Sequence, residues 1–195
     1  MKLLATGGGT GGHVYPALSV IEALTQEPVW RTRRDDVAWA GRADGLEAQI
    51  VAREGLRFCA VDTGPLRGAA PWQAVRSLVR LARGVAQAHR LIGRLRPDAV
   101  LATGGYVSAP VIVAAWLRRR PCLIYLPDME PGLTIKWLSR LAQRVAVTFE
   151  AAAERFPGKA VVTGYPVRAA LLHGDRQAAR AALGLDAGAP ALLAL

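Results

Sequence analysis

Short apolar runs alternate with longer amphipathic stretches along this chain. The runs at 2–6, 37–40, 57–61, 99–102, 122–126, 144–148 and 160–163 read as strands buried on both faces. The stretches between them predict helices at about 14–26, 44–54, 72–95, 108–119 and 132–142. That alternation predicts an α/β fold, a Rossmann-like parallel sheet with helices on both faces. Past Arg168 the pattern restarts weakly. Asp175 to Leu183 reads as a short helix stopped by Gly184, and 191–195 as a new buried strand. A helix and one apolar strand, under ~40 residues, make no core of their own. The expected organisation is therefore one domain over 1–168, with 169–195 as the start of a second.

Glycines mark where chemistry can enter. Leu3-Leu4-Ala5 runs straight into Thr6-Gly7-Gly8-Gly9-Thr10-Gly11-Gly12-His13, and a helix follows. Such a turn lets backbone approach phosphate, and the N–H groups and dipole of the following helix favour an anion. Pro16 falls in the expected first turn, where its missing N–H costs little. Gly7-x-Gly9-x-x-Gly12 also fits a dinucleotide fingerprint. That reading needs an acid at the tip of the second strand to hold a ribose. The tip reads Gly41-Arg42, and Asp44 comes later, where it suits a helix start.

A second glycine turn, Gly104-Gly105-Tyr106-Val107-Ser108-Ala109-Pro110, follows the fourth strand. Two such turns in one parallel sheet place two anion-facing helix starts on the same carboxyl edge, where open α/β sheets bind ligands. Tyr106, between glycines and a serine, is expected at the surface of that site. Asp128 and Glu130 follow the fifth strand. Asp128 either caps the helix starting near Gly132 or faces a ligand. Arg168 can pair with a phosphate bidentately. No cluster has metal-ligand spacing, and no Ser-His-Asp set suggests a hydrolase.

Charge changes the picture in one segment. The net charge is +10, and from Thr63 to Pro97 there is no Asp or Glu, while Arg67, Arg76, Arg80, Arg83, Arg90, Arg94 and Arg96 all fall inside. On a helix, Arg76, Arg80, Arg83, Arg90 and Arg94 form one stripe, with Val75, Leu78, Val79, Ala82, Val85, Ala86 and Ile92 as the apolar side. A stripe without acids repels itself unless something anionic lies near. It is either a solvated face or, with Trp72, a face for an anionic membrane. Nucleic acid is disfavoured because no binding motif accompanies the charge. Cys59 and Cys122 are expected as small core residues in a reducing compartment. There is no secretory leader pattern, and the apolar run 109–117 is too short to span a bilayer.

Taken in order, these motifs resemble the MurG family, the lipid-linked N-acetylglucosaminyltransferases of peptidoglycan synthesis. The string from Gly8 to Leu18 is similar to the family's first glycine loop, and 104–110 to its second. Leu66-Arg67-Gly68, Gly132-Leu133-Thr134-x-Lys136-Trp137 and Gly164-x-Pro166-Val167-Arg168 match further signatures. The resemblance implies the N-terminal, acceptor-binding half of a GT-B fold. The implied activity is inverting, metal-free and cofactor-free transfer from UDP-N-acetylglucosamine to polyprenyl-diphospho-muramyl-pentapeptide, at the cytoplasmic face of the membrane as a peripheral protein. Alone, the 195-residue chain is expected to be inactive in transfer.

Carried across, His13 and Asp128 would be catalytic. Thr10, Gly11, Gly12, Gly104, Gly105, Tyr106, Ser108, Asp128 and Arg168 would bind the sugar nucleotide or the acceptor diphosphate. Trp72, Arg76, Arg80, Arg83, Arg90 and Arg94 would face the membrane. Three departures stand out. The family's His-Glu-Gln-Asn after the fifth strand reads Tyr125-Leu126-Pro127-Asp128. The family's Asn before Pro-Val-Arg is Tyr165, and the third glycine loop with its donor domain is absent. Two other readings stay open: a non-catalytic lipid-diphosphate binder, and a related lipid glycosyltransferase with a different acceptor.

Overall fold

In a computed structural model, which describes residues 1–64, 71–186 and 188–192, seven strands form one parallel sheet. Nothing is described of the side chains of 71–76 and 133. The strands are β1 (Leu3–Thr6), β2 (Val37–Gly41), β3 (Arg57–Ala60), β4 (Ala99–Ala102), β5 (Cys122–Leu126), β6 (Arg144–Val147) and β7 (Ala160–Val162), in the order β3-β2-β1-β4-β5-β6-β7. Thr6 lies opposite both Ala40 and Ala102, so the ends of β1, β2 and β4 are level. The order reverses between β1 and β4. Each of the seven strands expected between residues 2 and 163 is present to within a residue at each end.

Helices close both faces of the sheet. They are α1 (Gly11–Gln26), α2 (Leu46–Arg53), α3 (Pro71–Leu95), α4 (Ser108–Leu117), α5 (Leu133–Leu138), α6 (Glu150–Ala153), α7 (Ala169–Leu172) and α8 (Arg176–Ala182). Side chains alternate across each strand. Leu3 and Ala5 pack with Val14, Ala17 and Ile21 of α1 and Val51 of α2. Leu4, Val100, Ala102 and Ile124 pack on the opposite face with Ala88 and Ile92 of α3 and Val111 and Ile112 of α4. Beyond Asp175, which caps α8 through the Gln177 and Ala178 N–H groups, the expected strand is not formed at Ala191 and Leu192. Residues 193–195 lie outside the described residues.

Three local expectations are corrected. α1 begins at Gly11, not 14, so Pro16 sits inside the helix and the Gly12 carbonyl loses its usual donor. Asp44 does not start α2, whose cap is Gly45; its carboxylate instead holds the Arg42 guanidinium at 2.6 and 2.9 Å. On α3 the packed side is Gly84, Ala88, Leu91 and Ile92, whereas Leu78 and Val79 are 64% and 62% exposed, and Ala82 and Ala86 also face outward. The reason is close approach. A Cβ at Gly84 would stand 2.0 Å from the Asp62 carbonyl oxygen and 3.2 Å from Pro110, so only the side that carries this glycine can pack so closely against the chain after β3 and α4.

Nor is the arginine stripe uniform. The Arg83 Nε lies 2.8 Å from Asp62, an acid just outside the acid-free segment, and Gln87 exchanges hydrogen bonds with the same residue. Arg90 and Arg94 lie further down the helix, in a concavity shared with Arg118. The side chains of Trp72 and Arg76, and the Leu66-Arg67-Gly68 signature, fall outside the described residues. Among the described residues no helix is long and apolar enough to cross a membrane.

Both cysteines are free thiols. Burial pushes the Cys122 thiol from 9.0 up to about 12, and Cys59 is half-buried. A raised thiol pKa contributes stability below the unfolded value that is lost as pH rises towards the folded one. Between pH 8 and 11 the native chain is expected to lose on the order of 2 kcal/mol more than Cys122→Ala, read from urea midpoints. Gly84→Ala is expected to cost about 1–3 kcal/mol at pH 7 in the same assay, because the new Cβ overpacks against backbone.

Candidate functional site

At the carboxyl edge the two glycine turns meet. Gly104 and Gly105 have φ of +105° and +79°, the left-handed region that favours glycine. A Cβ on Gly105 would stand 2.3 Å from the Gly8 carbonyl oxygen, and one on Gly104 would stand 3.0 Å from the His13 ring. Thr103 locks the pair. Its hydroxyl bonds the His13 carbonyl and its N–H donates to the Thr6 carbonyl at 2.9 Å, while a Cβ on Gly7 would collide with that hydroxyl at 2.0 Å. From across the sheet, the Thr63 hydroxyl donates to the Tyr106 carbonyl at 2.9 Å and steadies the second turn.

A cavity of about 600 Å³ opens beside these turns. Its polar lining comes from His13, Thr103, Gly104, Gly105, Tyr106 and Asp128. Leu81, Val113, Ile135, Trp137 and Leu138, from α3, α4 and α5, give it an apolar wall. The structure thus brings His13, Gly104, Gly105, Tyr106 and Asp128 to one place. The His13 Nδ1 is buried without a partner, so Nε2 is the ring nitrogen left to reach a ligand. Asp128 is exposed, and α5 has no side-chain cap, so its carboxylate is not spent on that helix. Thr10, at the head of α1, likewise makes no capping bond. Helix geometry leaves the Gly11 and Gly12 N–H groups without intrahelical acceptors. These three residues precede His13 at the cavity's edge and do not line it.

Two expected site residues stand elsewhere. Ser108 is fully buried and its hydroxyl donates to the Gly104 carbonyl at 2.7 Å, so it shapes the second turn and cannot touch a ligand. Arg168 stacks over the Tyr15 ring at 4.5 Å, beside a separate cavity against α1. The family departures prove to be neighbours. Tyr125 and Tyr165 meet edge to face at 6.3 Å, and the Tyr125 hydroxyl bonds Thr148 at 2.8 Å. Burial, the first cause, holds the Tyr125 hydroxyl above its ordinary range, and the nearby Asp128 charge adds to this.

One carboxylate at this edge was not anticipated. Glu47 is 1% exposed and accepts from the Gly9 N–H at 3.3 Å and the Arg42 N–H at 3.0 Å. An acid therefore does stand at the tip of β2, reaching it from α2, but it is turned inward and engaged by backbone. No ribose can use it. Its signal lies in Gly41 and Gly45, just ahead of it in sequence, and in Gly8, which lies far away on another loop.

Gly105→Ala is expected to lose at least about 2 kcal/mol, from a left-handed φ and a clash with backbone. At Gly132 a Cβ meets nothing, and φ is −57°. Gly132→Ala should stay within about 0.5 kcal/mol of the native chain. Denaturant titration of the two variants side by side checks the pair.

The comparisons with known proteins agree with this geometry. Residues 3–147 match the glycosyltransferase family 28 N-terminal domain. The UDP-N-acetylglucosamine–N-acetylmuramyl-(pentapeptide) pyrophosphoryl-undecaprenol N-acetylglucosamine transferase of Roseiflexus sp. (strain RS-1) is 43% identical over 99% of this chain and 52% of its own length. The transferase of the same name from Moorella thermoacetica is 40% identical over 95% of this chain and 49% of its own length. The chain thus spans about half the length of the curated relatives it matches. The crystal structure of Acinetobacter baumannii MurG superposes with a TM-score of 0.67 at 31% identity, over 86% of this chain and 46% of that one. A Neisseria meningitidis UDP-GlcNAc 2-epimerase bound to UDP-GlcNAc, at 17% identity and a TM-score of 0.59, shares the fold. The parallel sheet, its two interlocked glycine turns and the matched span together place this chain in the glycosyltransferase family 28 N-terminal domain family.

Proposed function

We propose that this chain is the acceptor-binding domain of an inverting glycosyltransferase that moves N-acetylglucosamine from UDP-N-acetylglucosamine to polyprenyl-diphospho-muramyl-pentapeptide. Residues 1–168 would form that domain, and 169–195 would lead into a donor-binding one. The observation that carries the reading is the cavity itself. It combines the second glycine turn, His13 and Asp128 with an apolar wall, next to the start of α1, which suits an acceptor with a diphosphate-linked sugar and a lipid tail. The relatives carry the name of that transferase.

In this reading the N–H groups of Gly11 and Gly12 and the second turn meet phosphate oxygens, Tyr106 borders the acceptor, and Arg168 leaves Tyr15 to pair with the donor diphosphate. His13, through Nε2, or Asp128 takes the proton from the acceptor hydroxyl. That oxygen attacks C1 of the donor sugar from the face opposite UDP. The bond from C1 to the diphosphate breaks with its electrons on the leaving group, and the anomeric configuration inverts. With Leu126 buried where the family has Glu, these two residues are the candidates for the base. The exposed Leu78 and Val79, with Arg80 next to them on α3, would rest on anionic lipid at the cytoplasmic face, beside the acceptor's anchor.

The test is calorimetric binding of a short-prenyl diphospho-muramyl-pentapeptide to the chain. His13→Ala and Gly105→Ala are expected to weaken it at least tenfold, and Asp128→Asn, which keeps the acceptor oxygen, less than threefold. Preference for a diacylglycerol acceptor would replace this reading with that of a related lipid glycosyltransferase.

A further inference from the structure

We infer that Glu47 is a positioning residue of the first glycine turn: its buried carboxylate claims the Gly9 N–H, fills the crevice between the ends of β1 and β2, and leaves phosphate to approach only from the β4 side. The inference rests on the proposed reading of that turn as phosphate-facing. An acid in the first turn of a helix commonly serves its own helix end. Glu47, second residue of α2, accepts from the Arg42 N–H in the turn that leads into its own helix, and also reaches across to the Gly9 N–H in the loop after β1.

Three glycines make the room. A Cβ on Gly8, Gly41 or Gly45 would stand 2.5, 2.9 or 2.4 Å from the Glu47 side chain. None of the three has a positive φ, so backbone conformation does not require glycine there. Space for this side chain does. With Gly9 held at φ +88° and its N–H spent on Glu47, that donor is withdrawn from a ligand, while those of Gly11 and Gly12, beside His13, have no intrahelical acceptor. The cavity correspondingly opens towards β4 and β5, not towards β2.

Charge and position predict opposite signs, which makes the inference testable. Coulomb repulsion alone would have Glu47→Gln tighten an anion at the turn, because a negative charge behind it is removed. Loss of positioning would weaken the same anion. Inorganic pyrophosphate is titrated into the chain while backbone amides are followed by NMR, and Gly9 amide exchange is measured without ligand. Glu47→Gln is expected to raise the pyrophosphate Kd at least fivefold and to speed Gly9 exchange at least tenfold. Gly45→Ala, which touches the Glu47 carboxylate and not the glycine turn, should raise the Kd by a similar factor, and it serves if Glu47→Gln does not fold. An unchanged or tighter Kd in either variant overturns the inference. If the native chain binds no pyrophosphate, the phosphate-facing reading of the turn falls. Gly9 exchange then decides the role of Glu47 alone, acceleration in the variants upholding the clamp and no change overturning it.

Discussion

The carboxyl edge of this sheet depends on one hydroxyl. Thr103 stands at the end of β4 and bonds backbone at the end of β1 and at the start of α1, across the point where strand order reverses. Such a crevice normally lies open between diverging helices, and that is why α/β sheets bind ligands there. Here the hydroxyl fixes its width, and Gly7 exists without a side chain so that the bridge can form. His13, both glycine turns and the cavity beyond them take their positions from this bridge. A fold that supplies only a row of strand ends becomes, through one threonine, a defined pocket edge.

Much of this was legible in the chain. Strands buried on both faces announce themselves as short apolar runs, and β1, β4 and β5 fall where Leu3-Leu4-Ala5, Val100-Leu101-Ala102 and Leu123-Ile124-Tyr125 place them. The glycine turns were legible too, because strand, glycines and helix are contiguous. What stayed hidden depends on contacts between distant segments. Ser108 looked like a ligand group until its hydroxyl was found facing the turn's own backbone. Glu47 gave no signal, since Gly8, one of the glycines that admit it, and Gly9, whose N–H it holds, lie on a loop far away in sequence. Pro16 was misplaced because the helix start depends on how α1 docks under Thr103, which no local pattern records.

The basic helix carries the same lesson in charge. Read linearly, its arginines form one unbalanced stripe. Folded, Asp62 comes beside Arg83, and Gly84 lets its side of α3 pack closely against the Asp62 backbone and Pro110. The expected apolar stripe is thereby split. Part of it is buried with Ala88 and Ile92, and part of it, Leu78 and Val79, stays outside with the remaining positive charge. An amphipathic period of 3.6 cannot tell which of two adjacent apolar arcs faces inward when one is built of small residues.

The contact between Gly105 and the Gly8 carbonyl has a consequence for how such a domain diversifies. Where two turns touch through backbone alone, their spacing is set by van der Waals radii, and side-chain replacement elsewhere does not alter it. Residues 125–128 and 165, of which Tyr125 and Tyr165 touch, can then change as a connected set without disturbing the spacing of the two turns. The frame acts as a ruler and the wall beside it as a variable jaw. Evolution, or a designer, can recut the jaw for a new ligand while the ruler keeps its length.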